Sequence, residues 1–271
     1  MAGHSLAICF PVWNRADLFE ASYASLLRQL DGVDASIWII DNGSDAPTKL
    51  AIAKAHSERH STFRVTLPAN MGIPYAVNAF SRMAELSCPF ANHQPASHVM
   101  IADADCYFKK PIRDLIEILE GSPDAGAIAG HDSIEHEAGR SYVVTTGSGE
   151  RVVKEKAIER GLCLLMRREI LAGCVPFPTD TLLDFDWQIG QLHANSIEAL
   201  GLKMLAVDNV VHLGVYDSTW HPVGVPADAG QLQEIDSLLR ELNLMSPARR
   251  QRMESYRSHY GLTQPREPSL A

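Results

Sequence analysis

The chain has 271 residues, 46% hydrophobic and 21% charged, with a formal net charge of -9. That balance belongs to a folded protein with ample core material, in one large domain or two small ones. It carries no broad basic footprint for nucleic acid, so an anionic ligand would need a local positive element such as a metal ion or a helix N-terminus.

SLAICFPVW reads as a short buried strand. In ADLFEASYASLLRQL, Leu18, Phe19, Tyr23, Leu26, Leu27 and Leu30 fall on one helical stripe. ASIWIID is a second strand ending in the turn DNGSD, followed by the helix APTKLAIAKAHSERH. FRVTLPA is a strand, IPYAVNAFSRMAEL a helix, and SHVMIAD a fourth strand. PIRDLIEILEG is helical, with proline at its start, Ile112, Leu115, Ile116 and Leu119 on one face, and Gly121 at its stop. AGAIAG is a fifth strand.

The second half changes character. GRSYVVTTGSGERVVKEK reads as a hairpin or mobile loop around TGSGE, open to acting as a lid. GLCLLM is a strand, RREILAG a short helix, and TLLDFDWQIGQLHANSIEALG a loop entering a longer helix. KMLAVDNVVHLG reads as one strand. From about residue 226 the chain is polar, helical and partly basic, and TQPREPSLA is a frayed tail.

Strand–helix alternation argues for an α/β fold with a mostly parallel central sheet and helices on both faces. In such sheets ligands collect beyond the carboxyl ends of the strands, where PVWNR, DNGSD, PANMG and DAD all fall. The five cysteines are scattered without a CxxC pair, so no disulfide framework or zinc site is expected and a reducing compartment, the cytoplasm, fits. Cys106 reads as a small buried hydrophobe. No secretory leader is expected from MAGHSLAICF, and no apolar run approaches the ~20 residues of a membrane span, which leaves peripheral membrane contact open.

HVMIADADCYF drives an apolar strand into Asp103 and Asp105. Two carboxylates one residue apart repel unless something positive sits between them. A divalent cation answers that need, since Mg²⁺ commonly uses one or two carboxylates plus substrate phosphates. The other reading is a solvated turn with two aspartates. LLDFDWQIG holds a second acidic pair, Asp184 and Asp186, where a helix begins. Helix capping explains them equally well.

Taken in order, these segments resemble the GT-A-fold glycosyltransferases of the family 2 type. FPVWNRADLFEASYASLLRQL is similar to the family's opening strand and helix, IIDNGSD to its VDNGSTD segment, and PANMGIPYAVNAF to its N-x-G…A-x-N segment. IADAD stands where the metal-binding DxD belongs, and GLCLLMRREIL where the segment before the acceptor site does. DFDW is similar to the later E-D-x-D-L, and VVHLG to a late V-x-H-x-G strand. The match covers roughly residues 6 to 215. It implies a Rossmann-like GT-A domain over 1–225, with a nucleotide-binding half at about 1–110 and an acceptor half at about 111–225. A helical extension follows over 226–271.

The resemblance also implies roles. Pro11, Trp13 and Asn14 would line the base and ribose pocket; Asp41 would accept from a nucleobase N–H; Asn70 and Gly72 would let the backbone approach the nucleotide. Asp103 would hold ribose or a metal-bound water. Asp105, with His212, would hold Mn²⁺ or Mg²⁺. Asp184, or else Asp186, would be the base that takes the acceptor's proton. Each has a plainer reading: Trp13 and His212 as core, Asp41 and Asn70 as turn formers. Asn78 is as much a packing residue as a ligand contact, and Arg167 and Arg168 are open to phosphate. The implied activity is metal-dependent, inverting transfer of a sugar from a nucleotide-sugar, UDP-linked by preference, to a glycan, lipid-linked or small-molecule acceptor. The alternatives are a retaining GT-A enzyme and a non-catalytic sugar-nucleotide or glycan-binding module.

Overall fold

The computed structural model describes residues 5–59, 61–90, 96–131, 138–156, 163–179, 196–217 and 229–259. It divides into two compact units, Met1–Val211 and His212–Ala271.

The first unit is built on a nine-stranded sheet. In chain order its strands and helices are β1 (Ser5–Val12), α1 (Ala16–Arg28), β2 (Asp34–Asp41), α2 (Ala46–Glu58), β3 (Thr62–Thr66), α3 (Ile73–Phe90) and β4 (His98–Ala102). Then come β5 (Cys106–Phe108), α4 (Ile112–Glu120), β6 (Ala125–Ala129), β7 (Ala138–Thr146), β8 (Gly149–Lys156), β9 (Cys163–Arg167), α5 (Arg168–Cys174), β10 (Lys203–Ala206) and β11 (Val210–His212), the last ending at the unit boundary. The sheet order is β3-β2-β1-β4-β9-β6-β10-β8-β7. β3, β2, β1 and β4 run parallel, as do β6 and β10, while β9 is antiparallel to β4 and β6. The mixed, mostly parallel sheet is the one that the alternation predicts.

Side chains alternate across each central strand, which divides the core in two. Leu6, Ile8, Phe10 and Val12 of β1 join a cluster with α1, α2 and α4, whereas Ala7 and Cys9 join one with α3 and α5. β2 and β4 split the same way: Ile37, Ile39 and Met100 face the first cluster, Trp38, Ile40 and Ile101 the second. Helices therefore cover both faces, and these strands read as continuous apolar runs because neither face meets water. The predicted apolar face of α4 is buried at all four positions. On α1, Leu18, Phe19, Tyr23 and Leu26 are buried as predicted, and so are Ser22 and Ser25. Those hydroxyls hold β5 against the helix: Ser22 Oγ donates to the Cys106 carbonyl, and Phe108 N–H donates to Ser25 Oγ.

Three sequence readings change. KMLAVDNVVHLG is two strands, because Asn209 is fully buried and leaves the ladder to donate to the Lys110 carbonyl and accept from Arg151. AGAIAG follows the unforeseen three-residue β5, so it is β6. The GRSYVVTTGSGERVVKEK segment is a hairpin, β7–β8, but its turn is fastened to α4, which does not suit a lid. Gly147 N–H donates to Glu117, Ser148 Oγ donates to Asp114, and Arg151 pairs with Asp114 at 2.6 Å.

In the second unit the short 3-10 helix Leu213–Tyr216 is followed by α6 (Ala229–Glu241) and α7 (Pro247–His259). Tyr216 donates its phenol proton to Asp236, which also pairs with Arg257, and Arg249 pairs with Asp217 at 2.7 Å. Burial, then the Asp236 carboxylate, push the Tyr216 phenol well above its ordinary pKa. Among the described residues no helix is long and apolar enough to cross a membrane.

Candidate active site

β1, β2, β3 and β4 end on the same side because they are parallel. The chain order reverses at β1: β2 and β3 lie on one side of it, β4 on the other. The β1–β4 ladder stops at Cys9–Ile101, whereas β1–β2 continues to Val12–Asp41. The strands part there, at the switch point where open α/β sheets bind their ligands. Pro11 sits just beyond the last β1–β4 pair, buried and opposite Ile40. The ladder with β4 has already ended at this height, so a residue without an N–H is tolerated.

Side chains tie three strand-end loops into one rim. Asn42, 2% exposed, donates to Asn70 Oδ1 at 2.9 Å and accepts from Met71 N–H at 2.8 Å. Asn70 Oδ1 also accepts from Gly72 N–H at 3.1 Å. Ser44 accepts from Asn14 N–H at 3.1 Å, and Asn14 Oδ1 accepts from Asp45 N–H at 2.8 Å. Asp45 in turn caps α2 by accepting from Thr48 N–H. The loops after β1, β2 and β3 are thus held rigid without a ligand, which is the preorganisation a binding site needs. Asn42 and Ser44 were not assigned roles from sequence. Their signal was their place inside DNGSD, masked by its quality as a turn sequence.

Asp41 is fully buried at the end of β2. Its Oδ1 accepts from Ser44 N–H at 2.9 Å, while its Oδ2 is buried without a hydrogen-bond donor, 3.5 Å from Arg64 Nη2. A buried acceptor lacking a donor is costly and fits a ligand N–H that would satisfy it. Trp13, just past β1, is 52% exposed, so it is not core, and its ring is presented on the rim. Gly72 has φ +83°, and a Cβ there would meet only Pro74 Cδ at 3.5 Å, so its need is the left-handed backbone.

β4 ends in the Asp103–Asp105 turn, closed by Cys106 N–H donating to the Asp103 carbonyl at 3.2 Å. One positive partner of this acidic turn is Arg15, whose Nη1 lies 2.9 Å from Asp105 Oδ2. Asp105 is 13% exposed and Arg15 35%. Two hard carboxylates on one tight turn suit a cation that takes its remaining ligands from substrate oxygens and water. Among the described residues no three His, Cys, Asp or Glu side chains converge as a metal cluster. Behind the turn, Cys9, Cys106 and Cys163 are fully buried. Burial first, then the Asp103 charge, push the Cys106 thiol well above its ordinary pKa. Cys163 is raised to about 12, mainly by burial. These are packing thiols, not nucleophiles.

The remaining candidates fall in different places. Asn78 exchanges two hydrogen bonds with the Phe177 backbone, at 2.9 and 2.8 Å, and so fastens α3 to the segment after α5. Arg167 donates to the carbonyls of Leu119, Ser122 and Ala125, closing the C-terminal end of α4, which leaves its guanidinium engaged away from any phosphate role. His212 is half-buried at the end of β11, where the second unit begins. Asp184, Asp186 and Trp187 lie outside the described residues.

The family model described as "Glycosyl transferase family 2" matches residues 7–172, more than half of the chain. Two of the solved structures that share the fold illustrate it. One is the mannosyltransferase PcManGT from Pyrobaculum calidifontis, in complex with GDP-Man and Mn²⁺: TM-score 0.53, 16% identity, covering 97% of this chain and 76% of that one. The other is TarS of S. aureus: TM-score 0.53, 12% identity, covering 96% of this chain but only 44% of TarS. No curated protein matches the chain.

Proposed function

We infer the activity from one premise: the chain belongs to glycosyl transferase family 2, and it is a GT-A-fold enzyme that transfers a sugar from a nucleotide-sugar donor. The finer reading is metal-dependent transfer with inversion. The observation that supports metal dependence is the acidic turn Asp103–Asp105 at the switch point, beside a rim already tied by its own hydrogen bonds; inversion follows the family resemblance.

The nucleotide lies across the ends of β1, β2 and β4. Trp13 stacks on the base, and the donor-less Asp41 Oδ2 accepts a ring N–H. Uracil and guanine both carry one. The family resemblance favours a UDP-sugar, while PcManGT was solved with GDP-Man, so both belong in the test. Pro11 and Asn14 line the base and ribose site, and Asn70 and Gly72 let the backbone approach the nucleotide closely. Asp105 would hold Mn²⁺ or Mg²⁺, and Asp103 the ribose or a metal-bound water. When bound, that cation neutralises charge on the departing diphosphate. Asp184 takes the proton from the acceptor hydroxyl as its oxygen bonds to the anomeric carbon and the bond to the diphosphate breaks. Asp186 would orient that carboxylate or contact the acceptor. Attack opposite the leaving group gives inversion, with oxocarbenium character at the sugar carbon. The acceptor class is a glycan, a lipid-linked glycan or a small molecule, and the buried free thiols suit a cytoplasmic enzyme.

The test is release of nucleoside diphosphate from UDP- and GDP-sugars across an acceptor panel, with and without Mn²⁺. Asp105→Ala should lower turnover by about 100-fold or more while the protein stays folded. Wild-type turnover by that variant refutes the role, and retained anomeric configuration in the product refutes inversion.

A further inference from the structure

Arg15 breaks three local rules at once. Its backbone is left-handed, φ 60°, directly after Asn14 at φ 57°. Asparagine tolerates that region, but an arginine there is strained. Arg15 is also the N-cap of α1 and makes no side-chain capping bond, where Ser, Thr, Asp, Asn or Gly is favoured. Finally, it places a cation at the positive end of a helix dipole. Local choices that disagree with their setting are compensated elsewhere and mark functional positions. The compensation here is visible: the guanidinium reaches 90 residues along the chain to Asp105 Oδ2, at 2.9 Å.

We propose that Arg15 is an internal counter-ion that occupies the cation seat on Asp105 and competes with the divalent cation for it. The proposal rests on the reading that Asp105 takes that cation. It adds a residue with a different task, namely keeping the seat neutralised until the nucleotide arrives. A mostly desolvated carboxylate at the end of a buried strand is costly to leave uncompensated, and the Arg15 guanidinium lowers that cost in the ligand-free protein. Arg15 must then give up Asp105 before a divalent ion can use it. A diphosphate offers the planar fork of the displaced guanidinium an anionic partner with paired acceptor oxygens. Cation and nucleotide therefore assist each other's binding, and the cation alone binds weakly.

The experiment titrates the full chain with Mn²⁺ alone, with no nucleotide, and follows free Mn²⁺ by its paramagnetic resonance signal. Four forms are compared: wild type, Arg15→Asn, Arg15→Gly and Asp105→Asn. Asparagine and glycine both accept the left-handed backbone and suit an N-cap, so these variants fold, which thermal melting checks. The expected result is Mn²⁺ binding about five- to tenfold tighter in Arg15→Asn and Arg15→Gly than in wild type, since each removes a neighbouring positive charge and a competitor. Asp105→Asn should bind none over the same range. Wild-type or weaker affinity in both Arg15 variants, with binding still lost in Asp105→Asn, overturns the counter-ion role and leaves the cation site standing. Binding that is unaltered in Asp105→Asn, or absent from all four forms, removes the cation site itself and the proposal with it.

Discussion

Arg151 and Asp114 face each other with side chains 3% and 2% exposed. The guanidinium also donates to the Asp208 carbonyl and to Asn209 Oδ1, so the charge is paired and both Nη2 hydrogens are used. Removing one member leaves the other buried and uncompensated. Asp114→Ala should therefore lower unfolding free energy by about 3–5 kcal/mol, read from the urea midpoint. Asp114→Leu combined with Arg151→Met should recover part of that loss, because the apolar pair needs no partner, while the buried Asn209 Oδ1 still loses its Arg151 donor. An unchanged midpoint in Asp114→Ala would show that the pair is solvated. Such residues resisted reading from sequence because their partners lie far along the chain. Arg167 looked like a free cation opening a helix, yet it closes α4 more than forty residues upstream. Arg15 stood in the quoted PVWNR without a role, since nothing local points from it to Asp105. Asp103, Asp105 and Trp13 were legible as candidates, because carboxylates at a strand end and a tryptophan before a turn stand out locally.

At the scale of elements, the loop after β2 meets the loop after β3 with no room to spare. Gly43 has φ +72°, and a Cβ there would lie 2.4 Å from the Ala69 carbonyl carbon and 2.8 Å from Asn70 N. Gly43→Ala should force the two loops apart and break the Asn42–Asn70 bond. The expected cost is about 1–3 kcal/mol in thermal melts, with nucleotide binding weakened beyond what stability explains. Gly72→Ala is the milder comparison, since space remains around its Cβ position. Equal effects from the two variants would show that loop contact is unimportant. α1 and α4 were readable because burial on one side writes a repeating stripe into a helix, and β1, β2 and β4 because they are short apolar runs ended by turn residues. β5 was not, being only three residues long, and neither was the break between β10 and β11, where one buried asparagine overrides an apolar run.

The whole molecule gives the site its place. A parallel quartet of strands brings residues from 13 to 105 to one end of the sheet, and the order reversal at β1 opens the crevice between them. Strand–helix alternation made that architecture legible, but not the antiparallel insertion of β9 between β4 and β6, which follows from non-local pairing. The central claim is that this crevice binds a nucleotide-sugar through a cation on Asp105. The most direct measurement is a thermal melt of wild type and Asp105→Ala with GDP-mannose and with a panel of UDP-sugars, each with and without Mn²⁺. One donor should stabilise the wild type by about 2.7 kcal/mol when present at a hundredfold excess over its dissociation constant, only with Mn²⁺, and should leave Asp105→Ala unmoved. Equal stabilisation of Asp105→Ala, or of wild type without Mn²⁺, would contradict the claim.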